Sequence, residues 1–235
     1  MEFEQFDDYE ALSARAADIL LATIRADPRA VLGLPTGRTP IGMYERVVGN
    51  CSREYHCFRE VTTFNLDEYA GIAASHPGSY HAFMQQQLFD HVDIDPANAH
   101  IPRGDAPDLD AECLRYEALI RDAGGLGTTF LGLGTNGHIG FNEPGTPFDS
   151  HTRIVALTES TRAANAPLFP DGHVPTHAIT MGIGTILGSR SIVLLASGDK
   201  KRDAIARLRS GEVSEEFPAS ALWRHRDVRV LVSRR

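Results

Sequence analysis

What is scarce in this chain narrows its identity first. Only three of 235 residues are cysteines, Cys51, Cys57 and Cys113, an odd number with no CxxC spacing. That pattern indicates neither a disulfide framework nor a zinc knuckle, and it fits a reduced, cytoplasmic protein. His56 stands beside Cys57, but two neighbouring residues alone make a poor metal site. No apolar run reaches the roughly 18 residues of a membrane span. The opening MEFEQFDDYEALSARAADIL carries acids where a secretion signal carries bases. Positive charge is also short: 23 Lys and Arg against 31 Asp and Glu leave a net charge of −8. This argues against a nucleic-acid partner. It still admits an anionic small molecule, because a few placed cations and a helix N-terminus hold one phosphate locally.

The remaining composition is that of an ordinary globular protein, 42% apolar and 23% charged, with 21 glycines and 13 prolines scattered along the chain. A chain of this size buries roughly 70% of its unfolded surface and needs no staples. There is no linker and no internal repeat, so residues 1–235 read as a single domain.

Periodicity supplies the elements. Leu12, Ala16, Ile19, Leu20 and Ile24 recur at helical spacing over residues 8–26, with Asp7 or Asp8 placed to cap the start. A short apolar run at 30–34 reads as a buried strand ending in Pro35-Thr36-Gly37-Arg38-Thr39-Pro40, with Pro40 placed to open the next helix. Further strands are expected at 61–66, 128–133, 178–181, 191–196 and 228–232. Helices are expected at 79–89, at 108–123, at MGIGTILG and from about 199. Strands alternating with helices indicate an α/β fold: an open, mostly parallel sheet with helices on both faces, Rossmann-like in outline. Ligands of such sheets sit beyond the carboxyl ends of the strands. Three of those ends carry unusual polar sequences, PTGRTP, NLDEY and GTNGHIGFNEPG.

Each end has its own chemistry. Gly132-Leu133-Gly134-Thr135-Asn136-Gly137 matches a dinucleotide fingerprint, but the chain continues with Gly140, Pro144 and Gly145, a loop rather than the required helix. His138 in that loop suits proton transfer near neutral pH, and Glu143 could orient it. Asp67-Glu68 after the second strand offers a carboxylate whose pKa burial can raise enough to make it a base; acids also cap such turns without further purpose. In PTGRTP, Gly37 lets the backbone approach an anion, Thr36 and Thr39 add hydroxyls, and Arg38 adds charge. Lys200 and Arg162 are candidate cations for the same anion.

Taken together, LGLPTGRTP, FNLDEYAG, SYHAFM, GLGTNGHIGFNEPGT, LTESTRAAN, AITMGIGTIL and PASAL, in this order, strongly resemble the glucosamine-6-phosphate deaminase family. The resemblance runs from about residue 31 to 232. It implies conversion of D-glucosamine 6-phosphate and water to D-fructose 6-phosphate and ammonia, with no metal and no organic cofactor. It implies that Asp67 is the base for enolisation, and that His138 assists ring opening with Glu143 and the residue at 136. Thr36, Gly37, Arg38 and Thr39 would bind phosphate with Arg162 and Lys200. Some members carry aspartate where this chain has Asn136, which brings a hydrogen-bonding group but no charge.

Longer relatives carry a C-terminal extension and an allosteric site. Here Arg153 fits part of that pattern but Val155 stands where a base is expected, so strong allosteric activation is not expected. The chain stops after its last expected strand, which suits a monomer or small homo-oligomer. Two other readings compete. A 6-phosphogluconolactonase shares the architecture but gives no reason for LDEY together with HIGFNEPG. A sugar-phosphate sensor would need a DNA-binding module and would not need the three reactive groups.

Overall fold

The computed structural model describes residues 1–52, 57–169 and 172–233. Ten strands and seven α-helices are named among them: β1 (Glu2–Phe6), α1 (Tyr9–Ala26), β2 (Val31–Leu34), α2 (Ile41–Cys51), β3 (Thr62–Asn65), β4 (Asp67–Tyr69), α3 (Tyr80–Gln87), β5 (Ala99–His100), α4 (Leu109–Asp122), β6 (Thr128–Gly132), β7 (Arg153–Ala156), α5 (Glu159–Asn165), β8 (His177–Thr180), α6 (Ile183–Leu187), β9 (Ser191–Ser197), α7 (Arg202–Arg209) and β10 (Val228–Ser233). Seven strands form one sheet in the order β1-β10-β9-β6-β2-β3-β5, and every pairing in it is parallel.

Strand alternation sends neighbouring side chains to opposite faces. Along β9, Val193 and Leu195 join one apolar cluster, with Leu12, Ala16 and Leu20 of α1 and Met43, Tyr44 and Val47 of α2. Ile192, Leu194 and Ala196 join the other, with Tyr116 and Ile120 of α4, Ile183 and Ile186 of α6, and Ile205 and Leu208 of α7. Both faces of the sheet are therefore covered, as expected for buried parallel strands. No helix among the described residues is long and apolar enough to cross a membrane.

Helix starts follow their caps. The Asp8 carboxylate accepts from the Ala11 N–H, the Ser79 hydroxyl from Ala82, and the Asp108 carboxylate from Ala111. α2 follows Pro40, as its turn predicts.

Three features differ from the sequence reading. First, residues 2–6 form a strand, β1, where the sequence shows only an acidic N-terminus. β1 lies at the sheet edge with its burial incomplete, its Glu4 paired with Arg15 of α1, and no apolar run marks it. Second, the strand expected at 178–181 belongs to a separate antiparallel sheet, in the order β4-β8-β7. Its partners are short segments, DEY and RIVA, and its register is set across the fold rather than locally.

The third correction concerns the cysteines. Cys51 and Cys57 are joined in a disulfide, leaving Cys113 as a buried free thiol. Cys51 closes α2, and the chain returns toward β3 with a Cα separation of 5.5 Å between the two cysteines, within bonding range. A five-residue gap carries no pattern from which this pairing could be read. His56 lies outside the described residues.

Candidate active site

The polar ends of β2, β3, β6 and β9 converge on a cavity of about 640 Å³. Its wall holds Thr36, Gly37, Arg38, Thr39, Asp67, His138 and Lys200, so seven of the ten residues singled out from sequence line one space.

Asp67 opens the short strand β4, where it pairs with Thr180 of β8. It is 6% exposed. Burial pushes its carboxyl up to about 8, the Glu68 charge adds to that, and the Thr36 hydroxyl works against it. Glu68, adjacent on the strand, points away to a different task. Its carboxylate accepts the backbone N–H groups of Tyr69, Tyr80 and His81 at 2.8, 2.9 and 2.9 Å, tying β4 to the start of α3. The sequence pair Asp67-Glu68 is thus split by strand alternation into a cavity group and a structural anchor.

His138 sits in the loop after β6. Gly134 lies against its imidazole so closely that an added Cβ would fall 2.4 Å from Nδ1. Gly137 has φ of +87°, and the Phe217 ring occupies the space a side chain there would need. The loop is held from outside by the segment before β10: Ala219 donates its N–H to the Gly137 carbonyl, and Gly145 donates to that of Glu215. These scaffolding contacts carry no chemical signature and were not identified from sequence beyond the PASAL motif.

The Glu143 carboxylate stands 3.6 Å from His138 Nδ1 through Oε2. The same oxygen accepts the Asn136 amide at 2.6 Å, while the Asn136 Oδ1 accepts the His138 backbone N–H at 3.2 Å. Asn136 therefore braces the loop and the carboxylate rather than the imidazole ring. Burial alone would raise the Glu143 carboxyl, but the neighbouring imidazole, Thr161 and Asn136 outweigh it and hold the group at about 2. An aspartate at 136 could not donate and would face Glu143 with a like charge. Asn136→Asp is accordingly expected to raise the Glu143 pKa well above this value. Carbon-13 titration of the carboxyl measures it, and an unchanged value contradicts the contact.

The phosphate-type turn is tied to α1 and α2. The Tyr9 hydroxyl donates toward the Arg38 and Thr39 carbonyls at 3.2 and 3.0 Å and accepts from the Gly42 N–H at 2.8 Å. Gly37, at φ of +94°, makes the reversal.

The two expected cations are placed differently. Arg162 is not among the residues that line this cavity; it lines a different one with His76 and His173, whereas its α5 neighbours Thr161 and Asn165 line the first. Lys200 lines the cavity as expected and is exposed, and the adjacent Lys201 is half-buried in the same wall, its ammonium pushed down by burial. No sequence signal separates two neighbouring lysines at a 3-10 turn. Among the described residues no cluster of three or more His, Cys, Asp or Glu could hold a metal ion.

A buried carboxylate, a carboxylate-backed imidazole and an ammonium facing one cavity at the ends of parallel strands define an acid–base enzyme for an anionic small molecule. The chain belongs to the family of glucosamine-6-phosphate isomerases and 6-phosphogluconolactonases, which matches residues 7–232. It is 50% identical to a glucosamine-6-phosphate deaminase of Lysinibacillus sphaericus over 98% of both chains. It is likewise 50% identical to glucosamine-6-phosphate deaminase 1 of Bacillus subtilis, over 100% of this chain and 97% of that one. A solved structure described as a monomeric glucosamine-6-phosphate deaminase superposes with a TM-score of 0.97 at 50% identity, covering 100% of this chain and 98% of the other. The 6-phosphogluconolactonase of Thermotoga maritima superposes with a TM-score of 0.78 at 16% identity, covering 100% and 99%, which shows a shared fold alone.

Proposed function

We infer that this chain converts D-glucosamine 6-phosphate and water to D-fructose 6-phosphate and ammonia in amino sugar catabolism. The observation that carries the reading is the placing of Asp67 and His138 on one cavity, with Glu143 behind the imidazole, in a chain half identical to deaminases along its whole length.

The chemistry needs both groups. A closed pyranose has no carbonyl, so its C2 proton is not acidic until the ring opens. His138 takes the proton from the C1 hydroxyl and supplies one to the ring oxygen, with Glu143 stabilising the imidazolium. Asp67 then removes the C2 proton of the aldehyde. Return of a proton to C1 gives the C2 imine, and water releases ammonia and leaves the ketone. The phosphate does not react; it anchors the far end and positions C1 and C2.

The PTGRTP turn is the phosphate cradle in this account, with Lys201 as its cation in preference to the exposed Lys200. Lys201→Ala is expected to raise KM about tenfold while changing kcat little, since it removes binding that ground and transition states share. Lys200→Ala should change KM no more than about twofold. Steady-state kinetics of the two variants decide between them, and equal effects contradict the assignment. Monomeric action is the oligomeric state that the solved relative favours, and a cytoplasmic location completes the reading.

Incubating the protein with glucosamine 6-phosphate and no added metal tests the function directly. Equal amounts of ammonia and fructose 6-phosphate are expected; tight binding without product would transfer the reading to a sugar-phosphate sensor.

A further inference from the structure

The Glu143 carboxylate is held from two directions. Oε2 belongs to its own loop, where it accepts from Asn136 at 2.6 Å and faces His138. Oε1 accepts the Thr161 hydroxyl at 2.8 Å, and Thr161 stands on α5, eighteen residues further along the chain. The Thr158 hydroxyl, which caps α5, donates to the Thr161 hydroxyl at 2.9 Å. That contact orients Thr161 as an acceptor from Thr158 and leaves its own proton for Glu143.

We propose that Thr161 is a positioning residue for ring opening. It pins the second carboxylate oxygen so that the first stays turned toward the His138 imidazole. The inference rests on the ring-opening role given to His138 and Glu143 above.

The physical argument concerns rotation. The terminal torsion of a glutamate is broad and offers little resistance by itself. A carboxylate with one donor can swing about that torsion, whereas donors on both oxygens fix its plane. Asn136 supplies one point and Thr161 the other at 2.8 Å, the Thr158 hydroxyl standing further off at 3.5 Å from the same Oε1. The Glu143 side chain is only 18% exposed, so water replaces a lost donor poorly. His138 Nδ1 lies 3.6 Å from Oε2 and makes no hydrogen bond among the described residues. Its partner in the protonated state must therefore be the carboxylate that Thr161 holds in place. Thr161 also lines the cavity, so α5 contributes one wall of the substrate space and one support of the ring-opening pair.

Kinetics with glucosamine 6-phosphate carrying deuterium at C2 separate this role from a general structural one. Thr161→Val and Thr161→Ala are expected to lower kcat about tenfold, the loss of one hydrogen bond to a charged group, with KM changed by less than about twofold. The C2 isotope effect on kcat should fall to unity, because the slowed ring-opening step does not break the labelled bond. Thr161→Ser keeps the hydroxyl and should restore both values.

An unchanged kcat in the valine and alanine variants would overturn the proposal. So would a reduced kcat with an isotope effect above unity and as large as that of the unsubstituted protein, or a serine variant as slow as valine. Failure of the unsubstituted protein to release ammonia would instead overturn the functional reading on which the proposal rests.

Discussion

Replacing Asp67 with asparagine is expected to lower kcat by about 10³-fold or more while leaving the protein folded, the upper part of the range that one positioned general base supplies. The side chain keeps its shape and loses only the capacity to accept a proton. Its surroundings make the accompanying effects specific. Burial raises the carboxyl from 3.8 to about 8, so the folded protein binds more protons than the unfolded chain across that window. Stability contributed by the protonated group is complete below the lower value and is lost as pH rises through the upper one. Asparagine is neutral throughout. Asp67→Asn should therefore melt no lower than the unsubstituted protein, and higher above pH 8, while being inactive. In the unsubstituted protein kcat/KM should climb with pH as Asp67 ionises. Melting curves and rates at several pH values check all three expectations. An asparagine variant that retains more than about a tenth of the activity would remove Asp67 from the mechanism.

Gly134→Ala is expected to cost about a hundredfold in kcat, although position 134 bears no reactive group. A methyl there would fall 2.4 Å from Nδ1 and 2.5 Å from Cε1 of His138, so the imidazole has to move. Displacement of a reacting group by about 1 Å costs on the order of 10² in rate. The phosphate cradle lies at the end of a different strand, so KM should change little. The backbone itself does not oppose the change, because Gly134 is absent from the positive-φ glycines of this loop, which include Gly137, Gly140 and Gly145. Activity within about threefold of the unsubstituted protein would mean that the imidazole does not act from the position described.

These residues also mark how far the sequence could be read. Helices α1, α3 and α4 were legible because each combines apolar periodicity with a polar cap, Asp8, Ser79 and Asp108, and both signals are local. The placing of Thr36, Asp67 and His138 on one cavity was legible because the ends of parallel strands form one surface. Most of what was not legible depends on contacts beyond the local sequence. β1 is a half-buried edge strand, so it lacks the apolar run that marked β2 and β6. β4 and β7 depend on antiparallel pairing with β8, a match made across more than a hundred residues for Asp67 and Thr180. The contrast between Lys200 and Lys201, and the turning of Arg162 to another cavity, depend on which side of a short turn or helix faces inward. A single charged residue does not encode that. The Cys51–Cys57 bond spans only six residues, but neither cysteine stands in a spacing that marks a pair.

The most direct test of the account compares two substrates on one preparation. Ammonia release from glucosamine 6-phosphate and hydrolysis of 6-phosphogluconolactone are followed side by side, with Asp67→Asn as the control. The account predicts ammonia from the unsubstituted protein only, matched by fructose 6-phosphate, with the lactone left at its spontaneous rate. Catalysed lactone hydrolysis without ammonia release, or ammonia release undiminished in Asp67→Asn, would contradict it.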